Sequence, residues 1–173
     1  SLDDPVTQFV AILTALVHDV EHPGVGNAQL ILENHPLVST YSMHKNSIAE
    51  RHALSVTWKI LQKDCYYDLR RCIYQSVNEF EHFREVLVHS VLVTDIMDKE
   101  LQTERKERWD RIFKNTNESA RDITTANTVD PVAKELLNMQ KTAVLETVIQ
   151  VSDVAHTMQH WKVYLKWNER FFM

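Results

Sequence analysis

Along this chain apolar residues recur at intervals of three and four rather than in alternation, which predicts helices and no strands. The stretch PVTQFVAILTALVHDV, from Pro5 to Val20, is apolar nearly all round. It predicts a buried helix that stops near His22, because Pro23 and Gly24 cannot easily continue it. A second helix is expected over NSIAERHALSVTWKILQK. There Ser47, with Glu50 three residues later, has the capping-box pattern, and Leu54, Trp58 and Leu61 form an apolar face. A third is expected over SVNEFEHFREVLVHSVLVTDIMDKELQ, with Ser76 and Glu79 as another box and Phe83, Leu87 and Val91 in register. This reading puts Thr94 and Asp95 deep inside the third helix.

Between Asn115 and Asp130 the composition turns to Asn, Thr, Ser and Asp, which predicts a polar loop. Asp130 is then expected to cap a helix whose first residue is Pro131. That last segment, PVAKELLNMQKTAVLETVIQVSDVAHTMQHW, is long and sets Asp153 in an apolar run. With two glycines and four prolines in 173 residues there is little material for β-turns. No repeat at a period of roughly 20 to 50 residues interrupts the pattern. The expectation is an all-α, multi-helix bundle forming one unit.

Composition narrows the function classes. A content of 44% hydrophobic and 25% charged residues is that of a globular domain, not a disordered chain. The net charge of −5, and a basic cluster RKERWDR interrupted by acids, give no stripe for a nucleic-acid backbone, so no nucleic acid is expected as partner. Cys65 and Cys72 make no CxxC pattern and are expected as reduced thiols packed on one helical face. No apolar run reaches the ~18 to 20 residues of a membrane span, and SLDDPVTQF lacks the features of a signal peptide. A soluble segment is the expectation.

The candidate chemistry starts at VHDVEHPGVG. His18 and His22 stand four apart on one side of a helix, with Asp19 beside the first. A plain C-terminal turn, where histidines favour the helix dipole, fits this spacing as well as a metal site does. Asp153 lies four and eight residues after Ile149 and Leu145, with Val148, Val151 and Val154 nearby, which points its carboxylate to the interior. A carboxylate there needs a metal or a cation such as Arg51 or Lys141. Glu50 has its capping box as an alternative, Thr94 a bond to a helix carbonyl, and His52 a place as a satisfied core histidine.

The order His18-Asp19, then Asp153 far downstream, resembles the HD superfamily of metal-dependent phosphohydrolases. HDVEHPGVGNAQL is similar to the signature of class I cyclic nucleotide phosphodiesterase catalytic domains. The likeness continues through Tyr41 with SIAERHALS, then LVTDIMDKEL, then VSDVAHT with HWKVYLKWNERFF.

Carried over residue by residue, the resemblance implies that His18, Asp19 and Asp153 ligate the tighter-bound metal and that Asp19 bridges to a second. It implies that His22, Glu50 and Thr94 hold the second metal's waters, with Asp19, His22 and Glu50 catalytic and His156 facing the substrate base. Zinc suits the first position, magnesium or manganese the second. The implied reaction is two-metal hydrolysis of cyclic AMP and/or cyclic GMP to the 5′-monophosphate. The implied location is cytoplasmic, either free or as the cytosolic part of a larger membrane-associated protein.

The family's upstream histidine motif, supplying another ligand and the general acid, would lie before Ser1. Its purine-binding glutamine and aromatic clamp would lie beyond Met173. Residues 1–173 are therefore expected to be the central part of one catalytic domain, with little or no turnover alone. Within the matched stretches, Arg51, Ala53, Gln150, His156 and Thr157 depart from the usual residues, and His156 leaves the choice of base open. Two other readings stand beside this one: a different HD-type nucleotide phosphohydrolase, and a non-catalytic helical regulatory module.

Overall fold

A computed structural model describes residues 4–43, 46–113 and 131–171, leaving aside the side chains of 131–136, 138, 156, 157, 167 and 171. The described residues contain helices and no strand, so the all-α expectation holds. In chain order the helices are α1 (Pro5–Val17), α2 (Asn27–Leu32), α3 (Pro36–Thr40), α4 (Ile48–Leu61), α5 (Tyr67–Ile73) and α6 (Val77–Leu92). They continue with α7 (Lys99–Phe113), α8 (Pro131–Val154) and α9 (Trp161–Phe171).

The core forms where α1, α4 and α6 meet. Val10, Leu54, Leu61, Phe83, Leu87 and Val91 are buried together there. Phe83 is its aromatic hub, with ring centroids 5.8 Å from Trp58, 5.7 Å from Tyr74 and 6.4 Å from Phe9. A smaller cluster of Leu30, Ile48 and Ala49 seats α2 and α3 against the start of α4. A third, of Val93, Leu145 and Ile149, lays α8 across Ala11 of α1 and Val86 of α6.

Local chemistry explains the boundaries, and corrects several expectations. Asp4 caps α1 by accepting from the backbone N–H of Thr7 at 3.0 Å, with Pro5 at the first helical position. The helix ends at Val17, short of His22, because the chain beyond it tightens into turns in which the Val20 and His22 N–H groups bond three residues back, to the Val17 and Asp19 carbonyls. Glu21 takes a left-handed φ of 56°, and its carboxylate is tied to His52 Nε2 at 3.0 Å. Nor is α1 buried all round: Ile12 is 66% and Leu16 76% exposed, since only one flank faces α4 and α6.

The box at Ser76 and Glu79 forms as expected at the start of α6. The one at Ser47 and Glu50 does not. Ser47 stands at the start of α4 in a left-handed conformation (φ 55°) and makes no side-chain cap, because its hydroxyl and the Glu50 carboxylate bond elsewhere.

The third expected helix is two. α6 stops at Leu92, so Thr94 and Asp95 lie in a turn beyond it, and α7 restarts where Asp98 accepts from the N–H groups of Glu100 and Leu101 at 2.9 and 3.1 Å. The last segment also breaks. α8 ends at Val154, and a short 3-10 turn over Ala155–Met158 precedes α9.

Cys65 and Cys72 are free but exposed, on a 3-10 turn and on α5, and do not pack as expected. The expected loop over 115–130 and its cap Asp130 lie outside the described residues. No described helix is long and apolar enough to cross a membrane.

Candidate active site

α1 delivers His18 as its C-terminal cap. The ring Nδ1 lies 3.1 Å from the Thr14 carbonyl, which can only accept, so the proton sits on Nδ1. The Nε2 lone pair is left facing Asp19 Oδ2 at 3.4 Å and Asp153 Oδ1 at 3.3 Å. One imidazole nitrogen and two carboxylates thus converge as electron-pair donors. A proton on Nε2 or a cation between them makes that arrangement favourable. The donor set, one nitrogen and two oxygens with Nδ1 held by a backbone carbonyl, is of the kind zinc accepts. The two contacts share His18, and no group of three or more His, Cys, Asp or Glu side chains closes on a metal among the described residues.

Asp153 is not interior as expected. Its side chain is 32% exposed, and Val148 and Val151 on neighbouring faces of α8 are about half exposed. The side chain it faces is that of His18, not Arg51, whose guanidinium donates to the Asn46 carbonyl. The carboxylate lines a cavity of ≈ 550 Å³ between α1 and α8, together with His18 and Thr94. Apolar side chains of Ala11, Ile12, Val148 and Ile149 complete the wall. Thr14 also lines it, with a buried hydroxyl that finds no hydrogen-bond partner among the described residues.

Beside this cavity three chain segments meet in a second polar cluster. Asn27, at the start of α2, donates from Nδ2 to Glu50 Oε2 at 2.9 Å and to Asp95 Oδ2 at 3.0 Å, while its Oδ1 accepts from the Ala49 N–H at 2.9 Å. Asp95 is buried and also accepts from the Ser47 hydroxyl at 2.8 Å and the Met97 N–H at 3.1 Å. Burial pushes the Glu50 carboxyl above its ordinary range. The Asn27 bond and the His22 charge oppose that rise, and Asp95 adds to it.

The other expected site residues fall as follows. His22 is exposed in the turn after α1, where its Nδ1 accepts from the Gly24 N–H at 3.1 Å. Thr94 lines the same cavity as His18 and Asp153 while its hydroxyl donates to the Val91 carbonyl at 2.7 Å, so only its lone pairs remain to serve a ligand. His52 is partnered by Glu21 and by the Tyr41 hydroxyl at 3.4 Å. The side chain of His156 lies outside the described residues.

Sequence reasoning missed Asn27, Asp95 and Ser47 as a unit. The available signal was a polar residue directly after Gly26 and a Thr-Asp pair at the end of an apolar run. It also missed Glu146, a buried carboxylate on α8 that is hydrogen-bonded by His89 of α6 and Arg108 of α7. Burial alone would raise the Glu146 carboxyl, but the His89 bond and the charges of His89 and Arg108 outweigh it and hold it below the ordinary range.

Comparison with known proteins gives the arrangement a context. Residues 2–173 match the family model described as 3′5′-cyclic nucleotide phosphodiesterase. A probable 3′,5′-cyclic-AMP phosphodiesterase of Caenorhabditis elegans is 29% identical over 94% of this chain and 22% of its own length. A cGMP-specific 3′,5′-cyclic phosphodiesterase of Plasmodium falciparum is 24% identical over 97% of this chain and 16% of its own. The chain thus spans about a fifth of the length of these curated relatives. The phosphodiesterase domain of the RhoPDE fusion protein from Salpingoeca rosetta matches in fold with a TM-score of 0.65 at 19% identity, over 94% of this chain and 44% of that one.

Proposed function

Since the chain belongs to the 3′5′-cyclic nucleotide phosphodiesterase family, we propose that residues 1–173 are the central part of a catalytic domain that hydrolyses a 3′,5′-cyclic nucleotide to its 5′-monophosphate. The observation that carries this reading is the convergence of His18 Nε2 with the carboxylates of Asp19 and Asp153 beside an open cavity.

On this reading His18, Asp19 and Asp153 would hold a zinc ion, and Asp19, the most exposed of the three, would also serve a magnesium or manganese ion. Bound there, such ions supply Lewis acidity, orient water toward phosphorus and neutralise charge on the phosphodiester oxygens. Glu50, His22 and Thr94 order and polarise water around the second position. For Glu50, burial and the Asn27 bond fix the carboxylate's direction in advance, so little reorganisation accompanies the reaction. The apolar wall from α1 and α8 limits water around the reacting phosphate.

Cyclic AMP and cyclic GMP are both retained as substrates, because one named relative acts on each. His156 is proposed to face the substrate base, and the compartment to be the cytoplasm, where such second messengers are found. Residues 1–173 alone are expected to turn over little or none.

The test is hydrolysis of both cyclic nucleotides by the full-length chain that contains these residues, compared with Asp153→Asn. The expected result is turnover of at least one substrate and a loss of ~100-fold or more in the variant, since a misheld metal or misaligned reactant costs that much. A variant as active as the parent would refute the assignment of Asp153.

A further inference from the structure

α8 carries Asp153 to His18, so whatever fixes the rotation of α8 fixes the site. Helical geometry places Glu146, Gln150 and Asp153 on one stripe, at positions i, i+4 and i+7. All three stripe positions have a polar contact. Glu146 is only 4% exposed and is hydrogen-bonded by His89 and Arg108, from α6 and α7. Gln150 donates from Nε2 to the Val93 carbonyl at 3.0 Å. The third, Asp153, meets His18 at 3.3 Å.

Val93 caps the C-terminal end of α6, where helix carbonyls lack intrahelical donors. Its carbonyl receives Arg105 of α7 at 2.8 Å as well as Gln150. The end of α6, the middle of α7 and the stripe of α8 are therefore locked together by two adjacent polar ties.

Apolar packing at Leu145 and Ile149 holds α8 down but is non-directional, and so sets its rotation less sharply than a polar contact does. A buried charge with directed donors fixes it, because turning α8 by one residue swings each side chain by about 100° and strands a carboxylate without partners.

Resting on the phosphodiesterase reading above, we propose that Glu146 and Gln150 are positioning residues: they set the rotation of α8, and so hold the Asp153 carboxylate against His18. Neither touches the reacting groups.

The experiment uses the full-length chain with Glu146→Leu, Glu146→Gln and Gln150→Leu. Leu at 146 fills the buried volume but offers no acceptor, while Gln keeps the acceptor oxygen for both His89 and Arg108. Three readouts are taken on each: the thermal midpoint, kcat against KM for the cyclic nucleotide, and the ¹⁵N shift of the His18 ring nitrogens in metal-free protein. Expected are a loss of kcat of ~10-fold or more for Glu146→Leu and for Gln150→Leu with KM little moved, a displaced His18 Nε2 resonance, and, for Glu146→Gln, near-parent kcat and His18 resonance with a lowered thermal midpoint, because the charge facing Arg108 is gone. If Glu146→Leu fails to fold, Gln150→Leu decides. Parent-like kcat and an unmoved His18 resonance in folded leucine variants would overturn the proposal, as would Glu146→Gln losing as much as Glu146→Leu. A parent chain that hydrolyses no cyclic nucleotide sinks the phosphodiesterase reading instead, and the His18 resonance still decides the placement of α8.

Discussion

Asn27 donates to Glu50 at 2.9 Å, across 23 residues of sequence, and binds the start of α2 to the first turn of α4. The same amide nitrogen bonds Asp95 and the amide oxygen takes the Ala49 N–H, so one side chain satisfies two buried or half-buried carboxylates and a helix-end N–H at once.

Replacing it by aspartate keeps the shape, removes the donor and adds a third carboxylate. Asn27→Asp is expected to lose about 1–3 kcal/mol of stability at neutral pH, read as a shift of the urea midpoint at constant slope. The loss should shrink in acid, where the carboxylates protonate together. An unchanged midpoint at neutral pH would contradict this role.

Glu50 gives a pH prediction of definite sign. Its folded carboxyl sits above the ordinary range because of burial, so the native state binds the proton more tightly than the unfolded chain does. Stability from this group is then present in acid and is lost as pH rises through the raised value. Metal-free Glu50→Gln should melt higher than the parent at neutral pH, with the gap closing as pH falls into the ordinary carboxylate range. A gap that widens in acid would reverse the sign and the account with it.

Asp4 is the opposite case. Burial would raise its carboxyl, but hydrogen bonds from Thr7 and His82 and from the backbone N–H groups at the start of α1 bring it down to about 2. Its contribution is present above the unfolded carboxylate value and disappears as pH falls toward 2. Asp4→Ala is expected to cost ~1 kcal/mol at neutral pH, as N-cap truncations do. Thermal unfolding of parent and variant should converge near pH 2.

The hub of the core offers a test of packing alone. Phe83 is fully buried against Phe9, Trp58 and Tyr74. Phe83→Ala is expected to cost about 3–5 kcal/mol from lost burial and the cavity left behind. Chemical denaturation reads this directly. A cost under ~1 kcal/mol would mean that α1, α4 and α6 do not converge here.

These contrasts show what the order of residues reveals and what it hides. Helix type was legible because apolar spacing is local: Phe83, Leu87 and Val91 fall on one face and are buried as that spacing predicts. Boundaries were less so. α6 ends at Leu92 where the turn beyond it turns Asp95 toward Ser47 and Asn27, partners 48 and 68 residues distant that no local pattern names. The Ser47 and Glu50 spacing mimics a capping box, yet both side chains take long-range partners, and the Ala49 N–H at the start of α4 goes instead to Asn27. Of the site, His18, Asp19 and Asp153 were legible as residue types suited to a cation, and the structure draws them to one nitrogen. Asp153 was misjudged as interior because the valines beside it are half exposed on α8, so a run of apolar letters overstated burial.

The most direct measurement is anomalous scattering at the zinc edge from crystals of the full-length chain soaked with zinc. The account predicts a peak within ~2.0–2.2 Å of His18 Nε2 and of oxygens from Asp19 and Asp153, absent in Asp153→Asn. No peak at saturating zinc in a folded parent protein, or a peak that persists unchanged in the variant, would contradict it.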